Sequence, residues 1–343
     1  MLSCLGSALG VTVSVDEALA VVGRRVSVRR VVGTRQGRPV FTDAVGMLES
    51  TGATEVTLRL RDGSRVVIAR DSIVAARAVP VRGLQLSGRE LEQIAALGWR
   101  ALATEQLGDW LLRAGDGFTG RANSVLLLGS PGIALSEAVE HVGAWYAAHG
   151  LPAMFQVPLP DSAATDRWLA ERGWTTGNDV RMLVADLEPL LDSGAWAPRP
   201  VTQSRQPWAV QVDDRPDEPW LACYHYRGGD LPGNARTVIE NGDRLGFASV
   251  RSTADPTQVL AIARGSVDRR WLGVTAVEVT PDLRRRGLAR VLLEALARWA
   301  GALGAHSCYL QVAADNAPAL ALYARAGFVD HHRYHYRLPP PSG

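Results

Sequence analysis

The sequence predicts a mixed α/β (α+β) protein: a small all-β barrel, followed by two mixed sheets in tandem flanked by helices. Three observations predict it. Between residues 25 and 79, short apolar runs alternate with polar residues at the period of strands, with turn residues between them. From residue 85 onward, apolar runs alternate with segments of helical period, the pattern of strands joined by helices. Two stretches of that later region match one another in order and nearly in length, as an internal repeat does.

The barrel occupies residues 15–80. Arg25 to Val32 alternates, Asp43 to Leu48 and Glu55 to Leu60 follow, and Asp62-Gly63 is a hairpin turn. Val66 to Ile68 returns, Arg70-Asp71-Ser72 reads as one helical turn, and Ile73 to Val79 closes. Five short strands in so few residues suggest a barrel of the Src-homology type. Residues 1–14 read as a flexible tail with no basic segment before the apolar residues.

The first copy of the repeat covers residues 85–192. Leu127-Leu-Gly-Ser-Pro-Gly-Ile-Ala134 leads into a helix holding Val139, Val142 and Trp145. Phe155 to Val157, Trp168-Leu169 and Arg172-Gly173-Trp174 come after it. Residues 193–207, rich in Pro, Ser and Gln, form a linker. The second copy, 208–338, repeats the order with Gly287-Leu-Ala289, a helix with Trp299, Leu310 to Val312, Leu322-Tyr323 and Ala326-Gly327-Phe328. The first copy lacks every loop arginine of the second, and Trp168 stands near the position of Tyr323. It reads either as a degenerate copy or as an unrelated α/β segment.

The 343 residues suffice for two or three domains and a sizeable core. Apolar content of 47% and charged content of 21% are ordinary for a soluble globular chain. A net charge of +2 gives no strong nucleic-acid signal and no general affinity for an anionic membrane. All 37 basic residues are arginine, so the chain offers no lysine side chain of its own for modification. Cys4, Cys223 and Cys308 are odd in number and widely spaced. They suggest neither a disulfide framework nor a metal site, and a cytoplasmic location is expected. No run of about 20 apolar residues is present to span a bilayer.

The chemistry concentrates in the second copy. Val277-Glu-Val-Thr-Pro-Asp-Leu-Arg-Arg-Arg-Gly-Leu-Ala-Arg290 reads as a strand, a proline turn and an Arg/Gly loop opening a helix. A helix start offers unpaired N–H groups and the positive end of the macrodipole, and three arginines crowd the same spot. Such a loop suits a di-anion, and a pyrophosphate fits best. Asn316, Ala319 and Tyr323 then fall on adjoining turns of a short helix that Gly327 ends. Glu278 alternates with Val277 and Val279 and so faces the other way. It suits a proton acceptor, or equally a salt-bridged glutamate. Arg227, Arg264 and Arg333 are candidates to hold a substrate carboxylate, with aromatic packing and surface arginines as the alternative. His331 and His332 have no metal-ligand spacing with any cysteine, so no metal is expected.

At Val277 to Ala289 and Asn316 to Phe328 the chain resembles the GNAT superfamily, the Gcn5-related N-acetyltransferases, over residues 208–338. The resemblance implies acetyl-CoA as co-substrate and an amine as acceptor. It implies that Val277, Glu278 and Val279 form the strand edge along which pantetheine pairs. Arg284, Arg285, Arg286, Gly287, Leu288, Ala289 and Arg290 would cradle the pyrophosphate, with Asn316 and Tyr323 completing the cofactor side. Tyr323 would be the general acid for the leaving thiolate, or else a packing residue, and Glu278 the base. The acceptor site would lie near Tyr224-His-Tyr-Arg227, and Phe118 to Ser124 of the first half would close over it or be an ordinary hairpin segment.

Over nearly the whole chain the layout resembles an actinobacterial GNAT subgroup with a small N-terminal barrel, a degenerate half and a catalytic half. Trp110-Leu-Leu-Arg113, Gly117 to Ser124 and Arg333-Tyr-His-Tyr-Arg337 carry this match. Members are described as N-acetylglutamate synthases or as histone-like protein acetyltransferases. The expectation is direct acetyl transfer to the amino group of a small amino acid, glutamate first, as in arginine biosynthesis. The alternatives are a lysine on a basic or nucleoid protein, and a non-catalytic acyl-CoA sensor. A protein partner is expected, if anywhere, at the barrel.

Overall fold

The computed structural model describes residues 14–20, 22, 25–60, 64–79, 81–191, 208–225 and 229–340. The expected tail, apart from Ser14, lies outside the described residues, as do the Asp62-Gly63 turn and the 193–207 linker. The chain divides into two compact units, Met1–Pro80 and Val81–Gly343.

The first unit opens with one helical turn, α1 (Val15–Ala18), capped by the Ser14 hydroxyl. Five strands follow: β1 (Arg25–Arg35), β2 (Arg38–Thr51), β3 (Glu55–Arg59), β4 (Arg65–Ala69) and β5 (Ile73–Ala78). They form an antiparallel sheet in the order β4-β3-β2-β1-β5. Alternation sends Val26, Val28, Leu48, Val56, Leu58 and Ile68 inward to a common core. A 3₁₀ turn at Arg70–Ser72 leads from β4 into β5. These two end strands do not pair with each other, so the strand ring is not closed by a ladder.

The first half of the second unit holds α2 (Gly88–Gly98), β6 (Ala103–Leu107), β7 (Trp110–Ala114), β8 (Val125–Leu127), α3 (Leu135–Ala148), β9 (Phe155–Leu159), α4 (Ala163–Ala170), β10 (Thr175–Asp186) and α5 (Leu187–Leu191). The second half holds β11 (Trp208–Asp213), α6 (Glu218–Cys223), α7 (Ala235–Ile239), β12 (Leu245–Ser252), β13 (Val259–Asp268), β14 (Trp271–Val279), α8 (Leu288–Ala302), β15 (Ser307–Ala313), α9 (Ala317–Arg325) and β16 (Val329–Leu338). No helix among the described residues is long and apolar enough to cross a membrane.

All eleven strands of this unit join one sheet, in the order β11-β12-β13-β14-β15-β10-β16-β9-β8-β7-β6. The two halves exchange their last strands. β10 leaves its own half and pairs with β15, Leu183 opposite Leu310. β16 crosses the other way and pairs with β9, His335 opposite Val157. The exchanged strands also pair with each other, Val180 opposite Tyr334. Leu183 and Ala185 of β10 face the α8 core, while Met182 and Val184 face the α2 side with Leu91, Ile94 and Tyr309.

The feature that positions the site is the parting of β14 and β15. They pair in parallel only from Trp271 to Val274. Beyond that, β14 stays with β13, Glu278 opposite Ile262, and β15 stays with β10, Gln311 opposite Met182. A bulge marks the parting point. The register with β13 slips between Ile262 and Arg264, and Ala276 takes a left-handed φ of 52°. Such bulges bend a strand and re-aim its edge.

Candidate active site

The parted edge of β14 carries free backbone groups. The Thr280 N–H donates to Leu260 O of β13. By the alternation of an extended strand, the N–H groups of Val277 and Val279 point to the opposite edge, into the gap. Their side chains pack against the α8 core, and Glu278 faces the other side of the sheet. At the end of this edge a 3₁₀ turn, Pro281–Leu283, leads to Arg284, whose Nε donates to Val279 O at 3.2 Å.

The loop then turns through two left-handed residues, Arg285 at φ 62° and Gly287 at φ 85°. Gly287 is the N-cap of α8 and supplies no side-chain cap. The first N–H groups of α8, at Leu288 and Ala289, therefore have no acceptor within the helix. A Cβ built on Gly287 would meet nothing within 4 Å, so the space before the helix start is open. Arg284, Arg285 and Arg286 are exposed around it. Unpaired N–H groups, a helix dipole and three guanidiniums together suit a pyrophosphate.

α9, which follows β15, caps itself. Asn316 is its N-cap, with Oδ1 accepting from the Ala319 N–H at 3.2 Å. At the other end Gly327 (φ 83°) closes a Schellman turn, with Gly327 N–H to Ala324 O and Phe328 N–H to Tyr323 O. The Tyr323 and Phe328 rings meet edge to face at 5.6 Å. Tyr323 is 7% exposed, and burial pushes its phenol up to about 12.

On the other face, Glu278 is bound from the segment that follows α6. Its Oε2 accepts the His225 backbone N–H at 2.8 Å, and its Oε1 accepts from His225 Nδ1 at 2.9 Å. The first half reaches the same place. Phe118 is fully buried, and its ring lies 6.3 Å from that of Tyr224. Asn123 holds the 115–124 loop: its Oδ1 accepts from the Gly115 and Gly117 N–H groups, and its Nδ2 donates to Phe118 O and Thr119 O. The loop presents Arg121, whose guanidinium lies 4.8 Å from the Trp99 ring and donates to Gln311 Oε1 at 3.3 Å. Gln311 belongs to the parted segment of β15.

The three expected substrate arginines do not converge on Glu278. Arg227 lies outside the described residues. Arg264 is fully buried; its Nε donates to Ile239 O and its Nη1 to Gly98 O, both at 2.8 Å. Burial pulls it down to about 10, so at neutral pH it remains a charged clamp between β13, α2 and α7. Its burial takes it out of reach of a free substrate carboxylate. Arg333 is exposed on β16 opposite Arg181, on the face of Leu183 and α8, whereas Glu278 is on the face of α6. Among the described residues no cluster of three or more His, Cys, Asp or Glu side chains could hold a metal ion. Sequence reasoning did not pair His225 with Glu278 and did not single out Arg121. Both sit inside motifs it noted, but their partners are 53 and 190 residues away.

The corresponding turn of the first half is filled by its own chain. The Ser130 N–H donates to the Asp109 carboxylate, Asp109 N–H donates to Ser130 O, and Arg89 pairs with Asp109. A Cβ on Gly108 would strike the Pro131 backbone at 2.3 Å. The N-cap of α3 is Ala134 in an extended conformation, where α8 has Gly287. The helix-ending turns register the halves: Trp174 N–H to Leu169 O matches Phe328 N–H to Tyr323 O. That places Leu169 at the Tyr323 position. Trp168, the expected match, lies one residue off and stacks on Arg172 at 3.7 Å.

Comparison with known proteins agrees with this architecture. The sequence profile of a family described as "Probable histone acetyltransferase Rv0428c C-terminal" matches residues 87–337. The chain is 31% identical over 337 residues to the probable histone acetyltransferase Rv0428c of Mycobacterium tuberculosis, covering 94% of this chain and 96% of that one. It is 24% identical over 251 residues to the uncharacterized N-acetyltransferase YobR of Bacillus subtilis, covering 73% and 98%. Among solved structures, a GCN5-related N-acetyltransferase from Kribbella flavida superposes with a TM-score of 0.54 at 16% identity, over 75% of this chain and 96% of that one.

Proposed function

This chain belongs to the family of the probable histone acetyltransferase Rv0428c, and through it to the GNAT N-acetyltransferases; on that footing we propose that it moves the acetyl group of acetyl-CoA directly to a primary amine bound beside Glu278. The observation that carries the reading is the parted β14 edge running into an uncapped helix start. The gap has backbone donors along one side and the open, arginine-rich loop at its end. Pantetheine would pair with Val277 and Val279, and an edge N–H would polarise the thioester carbonyl. A donor so placed typically contributes about 3 kcal/mol to the transition state. The pyrophosphate would sit on Arg284 to Arg290, with Asn316 fixing the start of α9. Tyr323, protonated throughout the neutral range, would hydrogen-bond the leaving sulfur. Glu278 would supply the negative charge toward which the amine's proton is drawn.

For the acceptor, the first reading is a lysine side chain on a basic protein. It is supported by the Mycobacterium tuberculosis relative, a probable histone acetyltransferase. The acceptor side also presents the Glu278 carboxylate rather than converging arginines. A second reading, free glutamate, is favoured by one observation: Arg121 from the first half stands beside the parted segment of β15. The first unit, with Val32, Val40 and Phe41 exposed on β1 and β2, would be the surface for a protein partner. Thiol release from acetyl-CoA tests the reading, with lysine-rich peptides and glutamate as competing acceptors. Turnover of peptides alone supports the first acceptor, and turnover of glutamate alone replaces it with the second. Tight acetyl-CoA binding without turnover of any amine would make the protein an acyl-CoA sensor.

A further inference from the structure

Both oxygens of Glu278 are engaged before any substrate arrives, one by the His225 backbone N–H at 2.8 Å and one by His225 Nδ1 at 2.9 Å. A carboxylate bonded to one imidazole nitrogen fixes the tautomer and ring orientation and leaves the other nitrogen its lone pair. The His225 side chain is 46% exposed and that of Glu278 22%, so the imidazole is the outer member of the pair. We propose that His225, oriented by Glu278, is the base that takes the amine's proton. This rests on the acetyl-transfer reading above, and it makes Glu278 a positioning residue.

The surroundings suit that role. On α6, burial pushes the Cys223 thiol up to about 11, with the charge of Glu278 adding to the effect, so the thiol stays neutral and does not compete for the proton. Tyr224 packs toward Phe118 of the first half, and Ile262 of β13 stands opposite Glu278 as a fully buried apolar residue. Of the two side chains, the imidazole is the one left with an unengaged lone pair on its more exposed side, because both Glu278 oxygens already accept hydrogen bonds.

The ammonium gives one proton to His225 Nε2, forming imidazolium. The freed nitrogen pair forms the C–N bond at the acetyl carbon, and the C–S bond breaks with its electrons going to sulfur. The second proton shed by nitrogen ends on the thiol, and the imidazolium releases its proton to solvent.

His225→Asn tests the proposal, because its amide N–H stands where Nδ1 does and keeps the bond to Glu278 while removing the base. At pH 7, kcat/KM for the amine should fall about a hundredfold, with KM for acetyl-CoA unchanged. The deficit should close as pH rises toward the amine's own pKa, and added imidazole should restore part of the rate. Wild-type rates in His225→Asn at every pH would overturn the proposal. So would a loss that neither high pH nor imidazole reverses, since that pattern marks a structural role. A loss as large in Glu278→Gln, with no imidazole rescue of His225→Asn, would return the base to Glu278. A wild-type protein that acetylates no amine would instead remove the acetyl-transfer reading itself, and no variant is needed to see it.

Discussion

Tyr323 and Arg264 show how burial assigns a residue's task. Burial raises the Tyr323 phenol from its usual 10 to about 12. A neutral phenol is the form that donates a hydrogen bond to a leaving thiolate, and here it persists well above neutral pH. Tyr323→Phe should therefore lower kcat clearly while leaving KM for acetyl-CoA nearly unchanged, since the lost bond forms mainly in the transition state. Equal kcat in the two proteins would leave Tyr323 as packing alone. The folded state holds this proton more tightly than the unfolded chain. Its stabilising effect is thus complete below about pH 10 and lost as pH rises through about 12, so no pH dependence of stability from Tyr323 is expected near neutrality. Arg264 carries the opposite lesson. Its partners are the carbonyls at the ends of α2 and α7, and an arginine in the apolar run of β13 does not announce them. Arg264→Ala leaves two buried carbonyls without donors and should cost about 3 kcal/mol in urea unfolding. The folded fraction should keep its KM for the acceptor. A raised KM with unchanged stability would restore Arg264 to the substrate site. Glu278 was legible as a strand residue facing away from Val277 and Val279, because a period of two fixes that much. Its bond to His225 was not, because it joins segments that only the tertiary fold brings together.

Among the elements, the strand ending at Val279, the start of α8 and the short helix closed by Gly327 were legible in the sequence. Trp271–Val279 and the α8 start carry strong local signals: a β-rich run, then proline, arginines and glycine. The parting of β14 from β15 has no such signal. It depends on the bulge at Ala276 and on β10 arriving to claim the far edge of β15. The strand exchange was equally hidden, since β10 and β16 have the same alternation whichever half they complete. Gly287 is left-handed with open space around its Cβ position, so Gly287→Ala meets backbone strain and no clash. It should lower stability by about 1 kcal/mol and weaken acetyl-CoA binding by calorimetry, because the turn that aims the helix start is the part disturbed. The exchange predicts that residues 200–343 alone, lacking β10 and β9, expose an edge of β15 and leave β16 without either neighbour. That fragment should aggregate when expressed by itself and become soluble when residues 81–192 are supplied in the same cell. A soluble, monomeric fragment with native hydrogen-exchange protection in β15 would show that the exchange is dispensable.

At the scale of the molecule, the repeat has produced two halves with one backbone plan and unequal chemistry. The second half opens its turn before α8, keeps glycine at the cap and surrounds it with arginines. The first half closes the matching turn with Asp109 and Ser130, caps α3 with Ala134 and has Leu169 where the other half has Tyr323. A carboxylate already bonded to the Ser130 N–H would repel a pyrophosphate as well as exclude it. What the first half contributes is shape: it gives β16 its neighbour and brings Phe118 beside Tyr224 and Arg121 beside Gln311. It follows that the full chain should bind one acetyl-CoA, in the second half. Calorimetry on the intact protein should return a stoichiometry of one, Arg285→Ala with Arg286→Ala should weaken that site, and Ser130→Ala should leave it unchanged. Two sites per chain, or loss of binding on disturbing the Ser130 turn alone, would mean that the first half retains a working cofactor turn despite its own carboxylate.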